Sequence, residues 1–383
     1  MTSNLRRAET PDKIELWEEG DHYHQWLRSE GVTVIKDYKF PDLDQVELGP
    51  WERKGGKGAV IIIPDPALPN DAHLVEITPG GKSEPEQHMY EEIMYVVSGR
   101  GATSVWTDEK NKSTFEWAPG SLVTIPLNAW YQHFNGSGTE PARYVSMTNA
   151  PPVMRMWKSD EFIFNNPFVF NDRFAGDDED FFSGQGTLFQ RKGTKFGTIW
   201  RTNFVPNADT MRLWDYKDRG AGGINTHFDL AGNITKAHIS EFPVGTYKKG
   251  HRHGPGAHLV ILGGVGFSLL WWDNEKKNYE KADWSKRGMV IVPADATYHQ
   301  HFNTGPEPAR YLALRAPNGT PDNWGESNVS LKEGGMQIEY EDEDPDIHKM
   351  FESELSSHGA SCRMKAFIPW CTGEVGPTSE RDT

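Results

Sequence analysis

The chain repeats itself. AHLVEITPGGKSEPEQH begins at Ala72 and AHISEFPVGTYKKGHRH at Ala237, and the two align without a gap at an offset of 165 positions. His73 meets His238, Glu76 meets Glu241, Gly80 meets Gly245, and His88 meets His253. Gly99 and Gly101 then meet Gly264 and Gly266. The match resumes where Gln132-His133-Phe134-Asn135 returns as Gln300-His301-Phe302-Asn303, and Glu140-Pro141-Ala142-Arg143-Tyr144 as Glu307-Pro308-Ala309-Arg310-Tyr311. Two ordered blocks of this length mark a duplicated unit, and each copy is long enough for one domain core.

Both copies read as short strands. AHLVEITPGG, IMYVVSGRGATSVWT and SLVTIPL in the first, and HLVILGGVGFSLLWW, GMVIVP and ARYLALR in the second, are rich in β-branched and aromatic residues and bounded by Gly, Pro, Asn and Asp. Many such strands predict a sandwich or barrel. The expected division is an N-terminal arm (1–54), a first barrel (55–150), an aromatic-rich connection (151–224) packed on the barrels, a second barrel (225–316) and an acidic C-terminal arm (317–383). Residues 11–31 read as weakly helical: Ile14 and Trp17 share one face, as do Tyr23 and Trp26, with Gly20 between the pairs. Residues 340–358 read as an acidic helix after Pro345.

A net charge of −15 repels phosphate backbones and anionic lipid, so neither nucleic acid nor membrane is an expected partner. No apolar run of the length of a membrane span occurs, and the N-terminal residues carry no apolar signal stretch. The two cysteines, Cys362 and Cys371, do not make a disulfide framework. A cytoplasmic location is the expectation. An aromatic content of 12%, with 14 tryptophans, suits either a barrel that holds an organic ligand or a Trp-rich core.

The second copy carries Gly250-His251-Arg252-His253-Gly254-Pro255-Gly256-Ala257-His258, and later Tyr298-His299-Gln300-His301-Phe302-Asn303. Alternate strand residues face the same side, so His251 and His253 point into one space, as do His299 and His301. A lone strand histidine is ordinarily a hydrogen-bonded core or surface residue; two H-x-H pairs point to a metal. Imidazoles suit Fe, Mn, Ni, Cu and Zn, and three on one face leave positions for substrate or dioxygen. His299 is the better third ligand because Tyr131 stands at its place in the first copy. His301 has His133 as counterpart and reads as shared framework beside the metal.

At these residues the sequence resembles the cupin superfamily, whose first motif is a glycine, H-x-H, often a glutamate and a glycine, and whose second ends in Pro, Gly, His and Asn. The resemblance covers about 55–150 and 225–316. It implies an all-β bicupin: two tandem antiparallel β-barrels of the double-stranded β-helix or jelly-roll kind, with helical N- and C-terminal arms. Within bicupins the chain looks most like the gentisate 1,2-dioxygenase group, whose motif lacks the glutamate and uses H-R-H plus a later histidine. That likeness implies Fe(II) held by His251, His253 and His299, and cleavage of a small hydroxylated, aromatic substrate with dioxygen. The chain departs from that group in carrying the intact site in its C-terminal copy. His258 falls near the common glutamate position and stands as either a fourth ligand or a strand histidine turned away. Fe(II) is the favoured ion, with Mn, Ni, Cu and Zn open. In the first copy, Glu86, His88, Glu92 and Tyr131 stand at the metal positions; Glu86, His88 and Glu92 are a set that could hold a metal weakly, and the favoured reading of this barrel is a metal-free structural partner.

Arg310 is a candidate to pair with a substrate carboxylate through its fork, and also a candidate for structural pairing, since Arg143 matches it. His301 and His258 are candidates to move a proton. Trp271 and Trp272 alternate, so one faces inward. The alternative chemistry is a non-oxidative lyase, decarboxylase or isomerase using the same ions as Lewis acids; a binding or storage protein is a third reading. Gly263–Gly266 is a turn rather than a nucleotide loop, since no helix pattern follows. DDED at 177–180 reads as a solvated turn. A homodimer or homotetramer is expected from the fold analogy.

Overall fold

The computed structural model describes residues 21–373 apart from 64–67, 177, 179, 191–196, 217–219, 255, 273–277, 295–296, 317–327 and 369. Ile14, Trp17 and Gly20, and Asp177 and Glu179 of the acidic run, lie outside these residues.

Strands dominate. In the first half, one sheet runs in the order Thr33–Lys36, Gly56–Ile62, Asp71–Ile77, Ala142–Thr148, Glu92–Ser98, Leu122–Ile125 and Phe204–Val205, with Gly49–Trp51 beside Gly56–Ile62. A second sheet of Trp130–Asn135, Gly101–Asp108 and Asn111–Trp117 closes over it. The second half repeats the plan with Thr198–Arg201, Ile224–Asp229, Lys236–Phe242, Ala309–Arg315, Ala257–Gly263 and Met289–Val292, facing Glu280–Ser285, Val265–Trp271 and Tyr298–Asn303.

The duplication reaches further upstream than the sequence repeat. Thr33–Lys36 pairs parallel with Gly56–Ile62, and Thr198–Arg201 pairs parallel with Ile224–Asp229. Gly49–Trp51 and Trp214–Asp215 also hold matching antiparallel places. These strands fall inside the stretches read from sequence as arm and connection. The two halves also exchange edge strands. Lys39–Phe40 pairs with Met289–Val292 of the second barrel, while Phe204–Val205 pairs with Leu122–Ile125 of the first.

Alternation decides what each strand buries. On Ala309–Arg315, Tyr311 and Ala313 line the second barrel, whereas Leu312 and Leu314 join the core shared by both barrels. Val260, Leu262, Met289 and Ile291 join that same core. Each such side chain removed from water contributes about 1.5–3 kcal/mol, which ties the barrels together. Gly99 and Gly264 sit at equivalent turns with φ of 77° and 83°. A Cβ at Gly264 would lie 2.7 Å from the Cα of Ala309, so the position needs glycine for both conformation and space.

Both arms are partly helical, as expected. His22–Glu30 buries Tyr23, Trp26 and Leu27. Pro345–Ser357 is capped by Asp344, whose side chain accepts from the N–H of Asp346, and has proline in its first turn. Its buried residues Ile347, His348, Phe351 and Leu355 recur at helical spacing. They cover Phe267 and Phe302 on the outer face of the small sheet of the second barrel, together with Tyr247, which is bridged to Phe302. The connection also packs down: Phe182 stacks on Phe115 of the first barrel with centroids 4.1 Å apart.

Candidate metal centre

The H-R-H segment is held as a short extra strand. The N–H of His251 donates to the carbonyl of His299 at 3.1 Å, and His299 returns the bond at 2.8 Å. On the far side the N–H of Arg252 donates to Met336, and that of Ile338 donates to Gly250. With both edges fixed, His251 and His253 turn inward and Arg252 turns out, its guanidinium 4.8 Å from the Tyr298 ring centre. On Tyr298–Asn303 the same alternation sends His299 and His301 inward, and Tyr298 and Phe302 into the cluster under the C-terminal helix.

The structure brings His251, His253 and His299 together. One nitrogen from each lies within 4.8 Å of the other two. Ring centroids are 4.1 Å apart for His251 and His299, 4.8 Å for His253 and His299, and 5.6 Å for His251 and His253. All three are buried. Nδ1 of His251 lies 3.0 Å from the carbonyl of Lys249, and Nδ1 of His299 lies 3.2 Å from that of Thr297. A carbonyl only accepts, so each Nδ1 carries the proton and each Nε2 keeps its lone pair. Three imidazoles on one face fit a late first-row divalent ion with positions left open.

Ala257 shapes this donor set. Pairing against the neighbouring strand places Ile93 opposite Met147 and His258 opposite Leu314, so Ala257 occupies the place that Glu92 holds in the first barrel. The centre therefore has imidazoles and no carboxylate at that position.

His258 is corrected as a ligand candidate. It is one residue past the inward position and therefore points the other way, toward the first barrel, where the side-chain N–H of Asn70 donates to its Nδ1 at 2.9 Å. Burial pushes its pKa down to about 4. Arg310 is corrected as a substrate clamp: its Nε donates to Glu241 at 2.9 Å, and Nη1 donates to the carbonyls of Ala208, Asp209 and Met211. Arg143 repeats this with Glu76 and the carbonyls of Leu43 and Val46. Trp271 faces outward and stacks on Tyr298 at 5.4 Å.

His301 stays inside, its ring centre 5.5 Å from that of His299. Trp284 Nε1 donates to Ser268 Oγ at 3.0 Å, and the same oxygen lies 2.8 Å from Nδ1 of His301. The first barrel repeats the arrangement with Trp117, Thr103 and His133.

Sequence reasoning passed over His227 and His238, whose rings lie 5.0 Å apart on adjacent strands, with Tyr311 6.1 Å from His238. Burial, followed by the charge of Arg315, holds His238 well below the usual histidine range, so it is neutral. His238 shares strand parity with Phe242, which lines the barrel, and that alternation was the available signal.

In the first barrel the same positions form a closed polar network. Glu86 pairs with buried Lys54 at 2.9 Å. Nε2 of His88 lies 3.2 Å from Glu92 and 3.1 Å from the hydroxyl of Tyr131. The His88 hydrogen bond and the Lys54 charge outweigh burial and hold Glu92 well below the usual carboxylate range.

Residues 73–148 match the family model of the Cupin domain. The second barrel repeats its strand order and pairing, so the fold is an all-β bicupin. The chain is 33% identical over 63 residues to 5-aminosalicylate 1,2-dioxygenase of Comamonas sp, a match covering 16% of this chain and 15% of that protein. It is 30% identical over 116 residues to acireductone dioxygenase of Exiguobacterium sibiricum, covering 28% and 63%. It thus spans less than two thirds of either curated relative. Among solved structures, Lactobacillus farciminis oxalate decarboxylase aligns with a TM-score of 0.47 at 11% identity over 74% of this chain and 87% of that one. The Momordica charantia 7S globulin aligns at 0.46 and 14% over 74% and 84%. Among the described residues no helix is long and apolar enough to cross a membrane.

Proposed function

We propose that the second barrel is an Fe(II)-dependent dioxygenase centre, with His251, His253 and His299 as ligands and a small hydroxylated aromatic molecule as substrate. The observation that carries this reading is the convergence of three buried imidazoles with an alanine, Ala257, at the place where the first barrel has a carboxylate. Iron bound there would supply open positions at which a chelating substrate and dioxygen meet. Two partial relatives bear the name of dioxygenases, in keeping with this chemistry.

The residues of the chain do the positioning. The carbonyls of Lys249 and Thr297 orient two ligand rings. His301, 5.5 Å from His299 between ring centres, offers a polar ring beside the centre. Neutral His238 offers a second polar group, and Leu259, Ile261, Leu270 and Phe242 keep the interior apolar. Low local dielectric strengthens each of these contacts.

Oxygen uptake by protein loaded anaerobically with Fe(II), across a panel of hydroxylated aromatic acids, tests the reading. Uptake that depends on substrate and disappears in His251→Ala is the expected result. Turnover of a carboxylate substrate without oxygen would instead assign the site to a non-oxidative lyase, decarboxylase or isomerase, and would overturn the dioxygenase reading.

A further inference from the structure

Away from the barrel centre, the C-terminal arm gathers the only two cysteines of the chain with a histidine and a glutamate. One donor atom from each of His348, Glu352, Cys362 and Cys371 lies within 4.8 Å of the other three. The sulfurs are 3.3 Å apart, Nε2 of His348 is 3.2 Å from Oε1 of Glu352, and that same oxygen is 3.8 Å from the Cys371 sulfur. His348 and Glu352 are four residues apart on the helix Pro345–Ser357 and so share a face. We propose that these four side chains bind a structural zinc ion.

The hydrogen bonds around His348 prepare it for this role. The Tyr247 hydroxyl has one hydrogen and donates it to Glu343 at 2.6 Å. Nδ1 of His348, 3.1 Å from the same hydroxyl, must then be the donor. In the neutral ring this leaves a lone pair on Nε2, which is buried and makes no hydrogen bond. His348 is only 3% exposed, and its Nε2 faces the carboxylate of Glu352. Two acceptors facing each other across 3.2 Å call for a cation between them. The N–H of Gly373 points at the Cys371 sulfur from 3.3 Å, a contact suited to a sulfur that carries negative charge. Any side chain at Gly373 would collide with the carbonyl oxygen of Cys362, 2.4 Å from its Cβ, so the approach depends on glycine.

Two thiolates, one imidazole and one carboxylate form a four-coordinate donor set of the kind zinc prefers, and four protein ligands leave no open position. Such an ion would staple Cys362 and Cys371 to the helix that covers the outer face of the second barrel. The site is independent of the dioxygenase reading.

The test is zinc analysis and zinc-edge X-ray absorption on full-length protein purified without a tag in the presence of thiol reductant. The histidine centre contains no sulfur, so sulfur scatterers report this site alone. One zinc per chain with two sulfurs at about 2.3 Å, retained in His251→Ala/His253→Ala and lost in Cys362→Ser/Cys371→Ser, is expected. Zinc without sulfur scatterers, no zinc retained after dialysis against a weak chelator, or a mass lower by two hydrogens that reveals a Cys362–Cys371 disulfide would each overturn the proposal.

Discussion

His251 and His299 face each other across two reciprocal backbone hydrogen bonds of 3.1 and 2.8 Å, with ring centres 4.1 Å apart. The backbone thus fixes the distance between two proposed ligands before any ion arrives. Replacing His299 with alanine keeps the backbone bridge and removes one donor. Loss of a supporting group around a metal costs about 10–100-fold in affinity, so, on the proposed ligand set, loss of His299 should weaken Fe(II) binding on the order of 100-fold or more. Competition with a chromogenic chelator measures this.

Arg310→Gln separates structure from chemistry. The guanidinium ties Glu241 to the carbonyls of Ala208, Asp209 and Met211, far from the ligands' side of the strand. Its loss leaves Glu241 uncompensated, so unfolding in urea should show a loss of roughly 3 kcal/mol. Metal content should stay at the wild-type value. A variant of unchanged stability that fails in turnover would restore Arg310 as a substrate clamp.

Lys54→Met tests the closed network of the first barrel. Lys54 and Glu86 are both buried and pair at 2.9 Å. Removing the lysine strands a buried carboxylate and should cost about 3–5 kcal/mol. Lys54→Met/Glu86→Leu should be less destabilised than the single variant, because it removes both charges. A double-mutant cycle by chemical denaturation reads the difference.

His258 makes stability fall on the acid side. Its folded pKa of about 4 lies below the ordinary 6.5, so the unfolded chain takes up the proton first. This contribution is fully present above pH 6.5 and is lost as pH falls from there to about 4, where the loss amounts to roughly 3 kcal/mol. His133, pushed down to about 3 by burial, acts with the same sign. His258→Gln should flatten the acid limb of a stability–pH curve between pH 6.5 and 4. An unchanged slope would remove His258 from this role.

Much of the centre was legible because strand alternation is local. His251 with His253, and His299 with His301, share a face by spacing alone, and Tyr131 marked His299 as the residue peculiar to the second copy. The same rule decides His258, which the sequence left as either a fourth ligand or a strand histidine turned away. The inward place lies four residues after the H-x-H histidine, where the first copy has Glu92 and the second has Ala257; one step further reverses the side chain.

Sequence alone therefore settled the duplication, the all-β character and the pair of histidine faces, since repeats and period-two patterns are written in neighbouring residues. Only the folded chain decided which histidine nitrogen keeps its lone pair, because the carbonyls of Lys249 and Thr297 do so by position. It also decided that Arg310 is claimed by carbonyls a hundred residues upstream, and that Cys362 and Cys371 meet His348 and Glu352. These meetings depend on how the arms dock against the barrels, through distances that no local spacing contains.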